Sequence, residues 1–171
     1  MGLLRHRHDE GEAPRRFRMQ EKLLSIGDDS WIEDEGGNKA FLVDGKALRI
    51  RDTWILKDAA GNEVAEIKER KLSIRDAMKI HVGSREATVK RALVGLRERY
   101  HIELDGGEDL KAHGNIVDHE YEIEGDDGTV GNVSKKWFRV RDTYGVEVAP
   151  GANVALVLAI TVAIDGMSRG H

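Results

Sequence analysis

The chain has 171 residues, of which 40% are hydrophobic and 34% charged, and its formal charge at pH 7 is −4. This length suits one globular domain, and the near balance of 27 basic and 31 acidic side chains excludes a globally basic nucleic-acid-binding protein. The absence of cysteine excludes disulfides, thiolate metal sites and cysteine nucleophiles, and it agrees with a cytoplasmic location. Nineteen glycines against two prolines indicate many tight turns.

Residues 1–16 are predicted to form a charged, disordered tail. Only Leu3 and Leu4 are strongly apolar there, so the segment lacks the hydrophobic stretch of a signal peptide. His6 and His8 have a spacing that can hold a metal ion, but a solvated tail is the preferred interpretation. Residues 167–171 are predicted to be a short second tail.

A basic segment recurs along the rest of the chain at intervals of 20 to 24 residues. Acidic, glycine-containing turns lie between its copies, and each turn leads into an alternation of apolar and polar residues. Period-2 alternation joined by Gly, Asn and Asp predicts β-hairpins. The clear basic copies are at 46–53, 71–76 and 136–143, the weaker ones at 93–98 and 115–118, and the turn segments at 34–43, 58–67, 81–86, 105–109 and 126–133.

One continuous apolar run, at 154–164, follows the last repeat. It is preceded by Pro150, Gly151 and Asn153 and followed by Asp165 and Gly166, which are typical helix start and stop signals. A helix of this length spans about 17 Å, short of the ~30 Å hydrocarbon layer of a membrane. Its valines and isoleucines also permit a buried strand. We favour a buried helix over about 152–165, because the run has no polar face.

Five hairpins, an opening strand near 17–24 and a closing strand near 144–148 give roughly twelve strands. Twelve strands closed into a barrel have a diameter of roughly 24 Å. A central helix needs about 10–12 Å, which leaves room for one layer of inward side chains. The sequence therefore predicts a mainly β domain over 17–166: a closed, roughly twelve-stranded antiparallel β-barrel around a central hydrophobic C-terminal α-helix.

The sequence resembles the prokaryotic members of the LURP-one-related family, which belongs to the tubby C-terminal-like group. The resemblance rests on 19–28 (MQEKLLSIGD), 43–46 (VDGK), 137–146 (WFRVRDTYGV) and the terminal apolar run. It implies a closed twelve-stranded barrel threaded by a C-terminal helix, and it supplies no catalytic residues. Relatives named for tubby bind phosphoinositides and scramblase-like relatives associate with membranes, so the resemblance implies contact with phospholipid.

Basic residues of the repeats form the candidate ligand-binding site. In 48–51 and 138–141 apolar residues alternate with arginines, so the arginines are predicted to face outward on strands. Because the acidic turns lie half a repeat away, we predict one basic and one acidic rim. Cross-strand ion pairs without a function are the alternative interpretation. The candidate residues are Lys46, Arg49, Arg51, Lys71, Arg75, Lys135, Lys136, Arg139 and Arg141.

Motifs of known catalytic sites are absent from the sequence, which contains no Gly-x-Ser-x-Gly, His-Glu-x-x-His or Gly-x-Gly-x-x-Gly. We therefore predict no catalytic residue, no metal and no cofactor. Asp118, His119 and Glu120 look like a ligand cluster, but strand alternation places His119 opposite both carboxylates. His101 and His113 are isolated in strand patterns, and all three histidines are interpreted as surface residues.

The leading functional hypothesis is a non-enzymatic binding module for anionic phospholipid or another phosphate-bearing ligand. Such a protein would lie in the cytoplasm and bind peripherally to a membrane surface. A protein-interaction or scaffold domain is the alternative, and an enzyme with an unrecognised site is the third hypothesis. Nucleic acid is not expected as a partner.

Overall fold

The computed structural model describes residues 13–21, 29–45, 53–72, 75–94 and 97–168. Twelve antiparallel strands close into a barrel, each hydrogen-bonded to the next along the chain, and β1 pairs with β12. The strands are β1 (Arg15–Gln20), β2 (Asp29–Asp34), β3 (Lys39–Asp44), β4 (Thr53–Asp58), β5 (Glu63–Leu72), β6 (Arg75–Val82), β7 (Arg85–Val94), β8 (Arg97–Leu104), β9 (Asp109–Asn115), β10 (Glu120–Gly125), β11 (Gly128–Ser134) and β12 (Thr143–Val148). The predicted fold class is confirmed.

The two ends of the barrel differ in their connections. The five predicted turn segments join β2 to β3, β4 to β5, β6 to β7, β8 to β9 and β10 to β11, and antiparallel order places all five at one end, the hairpin end. The described connections from β9 to β10 and from β11 to β12 lie at the opposite end, the loop end.

Acidic residues at the hairpin end shape the turns themselves. The Asp58 carboxylate accepts hydrogen bonds from the backbone N–H groups of Ala60 at 3.0 Å and Asn62 at 2.9 Å. These bonds, with that of Asn62 the largest cause, lower the pKa of Asp58. Gly61 takes the left-handed conformation that such a turn requires, with φ of 90°. Asp34 accepts the same pair of bonds from Gly36 and Asn38.

A helix, α1 (Val154–Ser168), runs through the barrel from the hairpin end to the loop end. Residues 156–167 are all buried, so the predicted buried helix is confirmed, although it begins two residues later and ends three residues later than expected. Asn153 caps it, since its side-chain oxygen accepts the Leu156 N–H at 3.1 Å. No helix among the described residues is long and apolar enough to cross a membrane.

Inward side chains of alternating strand positions fill the space around the helix. Phe17, Met19, Ile67 and Ile102 are among those with no exposed surface. Gly131 lets the helix approach β11, because a Cβ there would lie 2.9 Å from a methyl group of Val157. Strand β1 begins at Arg15, two residues before the predicted start of the domain at 17, so residues 15 and 16 of the predicted tail belong to the barrel, and residues 1–12 lie outside the described residues.

The core also holds a polar cluster at the loop end. His119 Nε2 lies 3.0 Å from Asp165 Oδ1 of the helix, and its ring stacks on Tyr144 at a centroid distance of 4.1 Å. His119 is buried, so its interpretation as a surface histidine is wrong. It lies in the turn before β10 with φ of 54°, a left-handed conformation that directs its ring into the barrel.

Alkaline unfolding should depend on Tyr121, which lies in this cluster. Burial, followed by the nearby charge of Asp165, raises the pKa of Tyr121 well above its usual value of 10.0. The unfolded chain therefore releases this proton first, so the stabilisation is complete below about pH 10 and is lost as the pH rises further. We expect the unfolding free energy, measured in urea at about pH 8 and about pH 11, to fall less in Tyr121→Phe than in the wild type. An equal fall in both proteins would contradict this assignment.

Candidate functional site

The segment 135–142, here called the basic loop, connects β11 to β12 at the loop end. The sequence predicted a strand with alternating inward and outward residues over 138–141, and this prediction is wrong. Residues 135–137 form bends, 138–140 have no regular secondary structure and 141–142 form a turn, and Val140, expected to face inward, is 46% exposed. Asp142, with φ of 58°, reverses the chain before β12 begins.

Two aromatic residues explain why the basic loop leaves the sheet. Trp137 and Phe138 pack on the outer face of β12 over Gly145, where a Cβ would lie 2.8 Å from the Trp137 ring and 3.0 Å from the Phe138 ring. The Arg16 guanidinium also lies over the Trp137 ring, 4.7 Å from the ring centroid, which is a cation–π distance. Partial burial of two aromatic rings outside the barrel therefore favours the loop over continuation of the strand.

Glu120, at the start of β10, fixes the base of the basic loop. Its Oε1 accepts hydrogen bonds from the Ser134 hydroxyl and from the Lys135 backbone N–H, both at 3.0 Å. The Ser134 hydroxyl oxygen accepts the Lys136 N–H at 3.1 Å. At the other end of the loop, the Thr143 hydroxyl donates to the Val140 carbonyl at 2.6 Å. The loop is thus held at both ends.

The four basic side chains of the loop differ in their partners. Lys135 Nζ forms an ion pair with Glu21 at 2.7 Å, and this hydrogen bond raises the pKa of Lys135. Lys136, Arg139 and Arg141 are exposed and form no ion pair with the described residues. These three side chains are therefore available to a ligand, whereas Lys135 is engaged.

The remaining five candidate residues belong to other segments of the chain. Lys46, Arg49 and Arg51 lie outside the described residues. Lys71 in β5 and Arg75 in β6 lie near the connection of these two strands, at the loop end, but their side chains lie outside what the structure describes. The structure thus brings four of the nine candidates, at 135, 136, 139 and 141, into one loop.

A shallow groove of about 400 Å³ lies beside the basic loop on the outer face of β9, β10 and β11. Its lining includes one lysine, Lys136, against the carboxylates of Glu120 and Glu122. This mixed charge does not suit a phosphate group. The exposed loop, rather than the groove, is therefore the better site for an anion.

Strands β9 and β10 carry a cluster that the sequence did not reveal. His113, interpreted as an isolated surface histidine, lies directly opposite Glu122 and 2.9 Å from Glu124 Oε1. The prediction of isolation is wrong, because the partners come from the neighbouring strand. A signal was available: Glu122 and Glu124 alternate with Tyr121 and Ile123, so they share one face.

A closed twelve-stranded antiparallel barrel around one buried C-terminal helix defines a protein of the tubby-like fold. The chain belongs to the LURP-one-related family, whose sequence pattern it matches over residues 15–165. It is similar in structure to a protein of Arabidopsis thaliana solved by X-ray crystallography, with a TM-score of 0.60 and 16% identity over 91% of this chain and 92% of that one. At this identity the likeness shows the fold alone. No curated protein matches the sequence.

Proposed function

We propose that this protein is a non-enzymatic binding module whose loop end binds anionic phospholipid. The observation that carries the proposal is the basic loop, in which Lys136, Arg139 and Arg141 are exposed around the exposed Val140. Each lysine or arginine close to an anionic leaflet contributes about 1 kcal/mol of attraction. Three such side chains give weak, reversible binding that depends strongly on salt.

Two apolar side chains at the same end support a membrane over a soluble phosphate compound. Val140 is 46% exposed, and Val117, in the connection from β9 to β10, is 70% exposed. They are the large hydrophobic side chains most exposed among the described residues. Apolar groups that protrude beside basic ones can enter the interfacial region of a bilayer while the cations contact lipid phosphates.

Charge reversal in the loop should abolish vesicle binding. In flotation with phosphatidylcholine vesicles containing phosphatidylserine, we expect the wild type to float and Arg139→Glu/Arg141→Glu to remain in the bottom fraction. Each reversal removes an attraction and adds a repulsion of similar size. Together these two changes should weaken vesicle binding by more than about tenfold per residue. The control is Lys39→Glu/Arg85→Glu, which makes the same charge change at the hairpin end, removes the Arg85–Asp105 ion pair and the Lys39–Trp31 contact there, and should float like the wild type.

Vesicles of phosphatidylcholine alone test the need for negative charge, and added inorganic phosphate tests whether a free anion competes. If the wild type floats and both double variants reduce flotation equally, the effect depends on net charge alone, which would contradict the assignment to the basic loop. No flotation of the wild type would contradict lipid binding altogether. Competition by phosphate at low concentration would identify a soluble phosphate compound as the ligand instead of a membrane.

Several features inferred from the sequence stay predictions. They are the absence of enzymatic activity, the prokaryotic origin, the cytoplasmic location and the contribution of Lys46, Arg49, Arg51, Lys71 and Arg75 to the basic rim. A protein partner remains the alternative ligand. Lipid is favoured over protein because Val117 and Val140 are the only exposed large hydrophobic side chains among the described residues, whereas a protein-binding surface calls for a broad apolar patch.

A further inference from the structure

Three side chains with metal-binding atoms meet on the outer face of β9 and β10. His113 lies directly opposite Glu122, and Glu124 follows two residues later on the same face. One ligand atom from each, a nitrogen and two oxygens, all lie within 4.8 Å of one another. We propose that His113, Glu122 and Glu124 bind a divalent transition-metal ion, with zinc as the ion that fits best. This site is separate from lipid binding and does not depend on it.

The distances within the cluster match the edges of a zinc coordination sphere. His113 Nε2 lies 2.9 Å from Glu124 Oε1 and 3.5 Å from Glu122 Oε1. Two ligands of a tetrahedral zinc ion, each about 2.0–2.1 Å from the metal, are about 3.4 Å apart. The two separations in the cluster fall on either side of this value, so small rotations of the glutamate side chains would bring all three donors into position around one zinc ion. Three protein ligands leave a fourth position for water.

The charges of the cluster also favour a cation. Glu122 and Glu124 bring two carboxylates together, and a protonated His113 would balance only one of them. Lys111 pairs in register with Glu124 but forms no ion pair with the described residues. All three metal-binding side chains are half-buried, and partial exclusion of water strengthens their attraction for a divalent ion.

The backbone holds the three donors in place. Gly114, next to His113, lets β9 approach β10 closely, because a Cβ there would lie 2.7 Å from the Glu120 carbonyl oxygen. A bulge between Ile123 and Glu124 shifts the register of β10 against β11, and bulges of this kind redirect side chains.

The chemistry of the donors selects the ion. Imidazole nitrogen combined with carboxylate oxygen suits zinc, whereas magnesium and calcium prefer oxygen ligands alone. We therefore expect zinc to bind and magnesium not to compete with it.

The test is a calorimetric titration of zinc chloride into the full chain carrying His6→Ala and His8→Ala, which removes the other histidine pair that can hold a metal. In this background we expect one zinc ion per chain, and Glu124→Gln and His113→Ala should each weaken binding by at least about tenfold. The matched control is His101→Ala/Asp109→Asn, which removes a neighbouring histidine–carboxylate pair at 3.3 Å on the same outer face.

Cobalt provides a second readout, because its visible absorption reports the coordination geometry. Binding that is lost in Glu124→Gln and His113→Ala but kept in the His101 control supports the site, as does a cobalt spectrum that disappears with the same variants. Binding that His113→Ala leaves unchanged, or no binding in the starting background, overturns it. Circular dichroism of each variant shows whether the barrel is folded before the titration.

Discussion

Leu158→Asp is expected to prevent the protein from folding, and Ile160→Asp should do the same. Both side chains have no exposed surface and lie in the middle of α1, inside the barrel. Truncating a buried leucine costs about 2–5 kcal/mol, and burial of a carboxylate without a partner adds several more. The total is comparable with the 5–15 kcal/mol by which typical domains are stable. Circular dichroism and gel filtration should show an unfolded or aggregated chain.

Two controls separate this effect from a general intolerance of substitution. Val140→Asp places the same acidic group at the exposed tip of the basic loop, where we expect a change in stability within about 0.5 kcal/mol. Leu158→Met keeps the buried position apolar and should cost less than about 1.5 kcal/mol. A soluble, cooperatively folded Leu158→Asp protein would contradict the position of the helix in the core.

The barrel and its helix could be predicted because their signals are local. Each hairpin is marked by its own Asp and Gly residues, as at Asp58 and Gly61, and each strand by period-2 alternation. The run at 154–164 has no polar face, so it can only be stable where other elements surround it completely. Counting the hairpins then gives the number of strands, and the strand number sets a diameter that fits a helix.

The basic loop was mispredicted because its conformation depends on tertiary contacts. The pattern Phe138-Arg139-Val140-Arg141 alternates as well as any strand in the chain. Two tertiary contacts override this tendency to form a strand. Trp137 and Phe138 pack on the surface that Gly145 leaves open, and Glu120 of β10 accepts a hydrogen bond from the Lys135 backbone. A glycine in a strand pattern signals close approach of another group, but not which group approaches.

The two histidine clusters were missed for a related reason. His113 meets Glu122 and Glu124 only through the register between β9 and β10, which depends on the length of the turn that joins them. His119 lies in a turn rather than in a strand, so alternation could not give its direction, and the helix residue Asp165 that it contacts is 46 residues away in sequence. Alternation gives the face of a side chain, whereas its partner across the barrel follows from the closed topology.

Asp165→Ala is expected to destabilise the protein by about 1–3 kcal/mol, the largest loss that we expect from removal of a single polar side chain. The Asp165 side chain is 2% exposed, and its Oδ1 lies 3.0 Å from His119 Nε2. Removal of the carboxylate leaves His119 Nε2 buried without this hydrogen-bond partner, and a buried polar group without its partner costs about 1–3 kcal/mol. His119 Nδ1 is itself buried without a hydrogen-bond partner among the described residues, so the lost contact would not be replaced there. Asp165→Asn, which keeps a hydrogen-bonding oxygen, should lose less.

A double-mutant cycle isolates the energy of the pair. Unfolding in urea of His119→Ala, Asp165→Ala and the double variant should show a coupling of about 1–3 kcal/mol, because the two side chains are in direct contact. The backbone strain of alanine at the left-handed position 119 is common to the single and double variants and cancels in the cycle. The same cycle at the exposed pair of His101 and Asp109 should give less than about 1 kcal/mol. Equal coupling at the two pairs would mean that burial at the loop end adds nothing, and the connection of α1 to the barrel through Asp165 would then have no special role in stability.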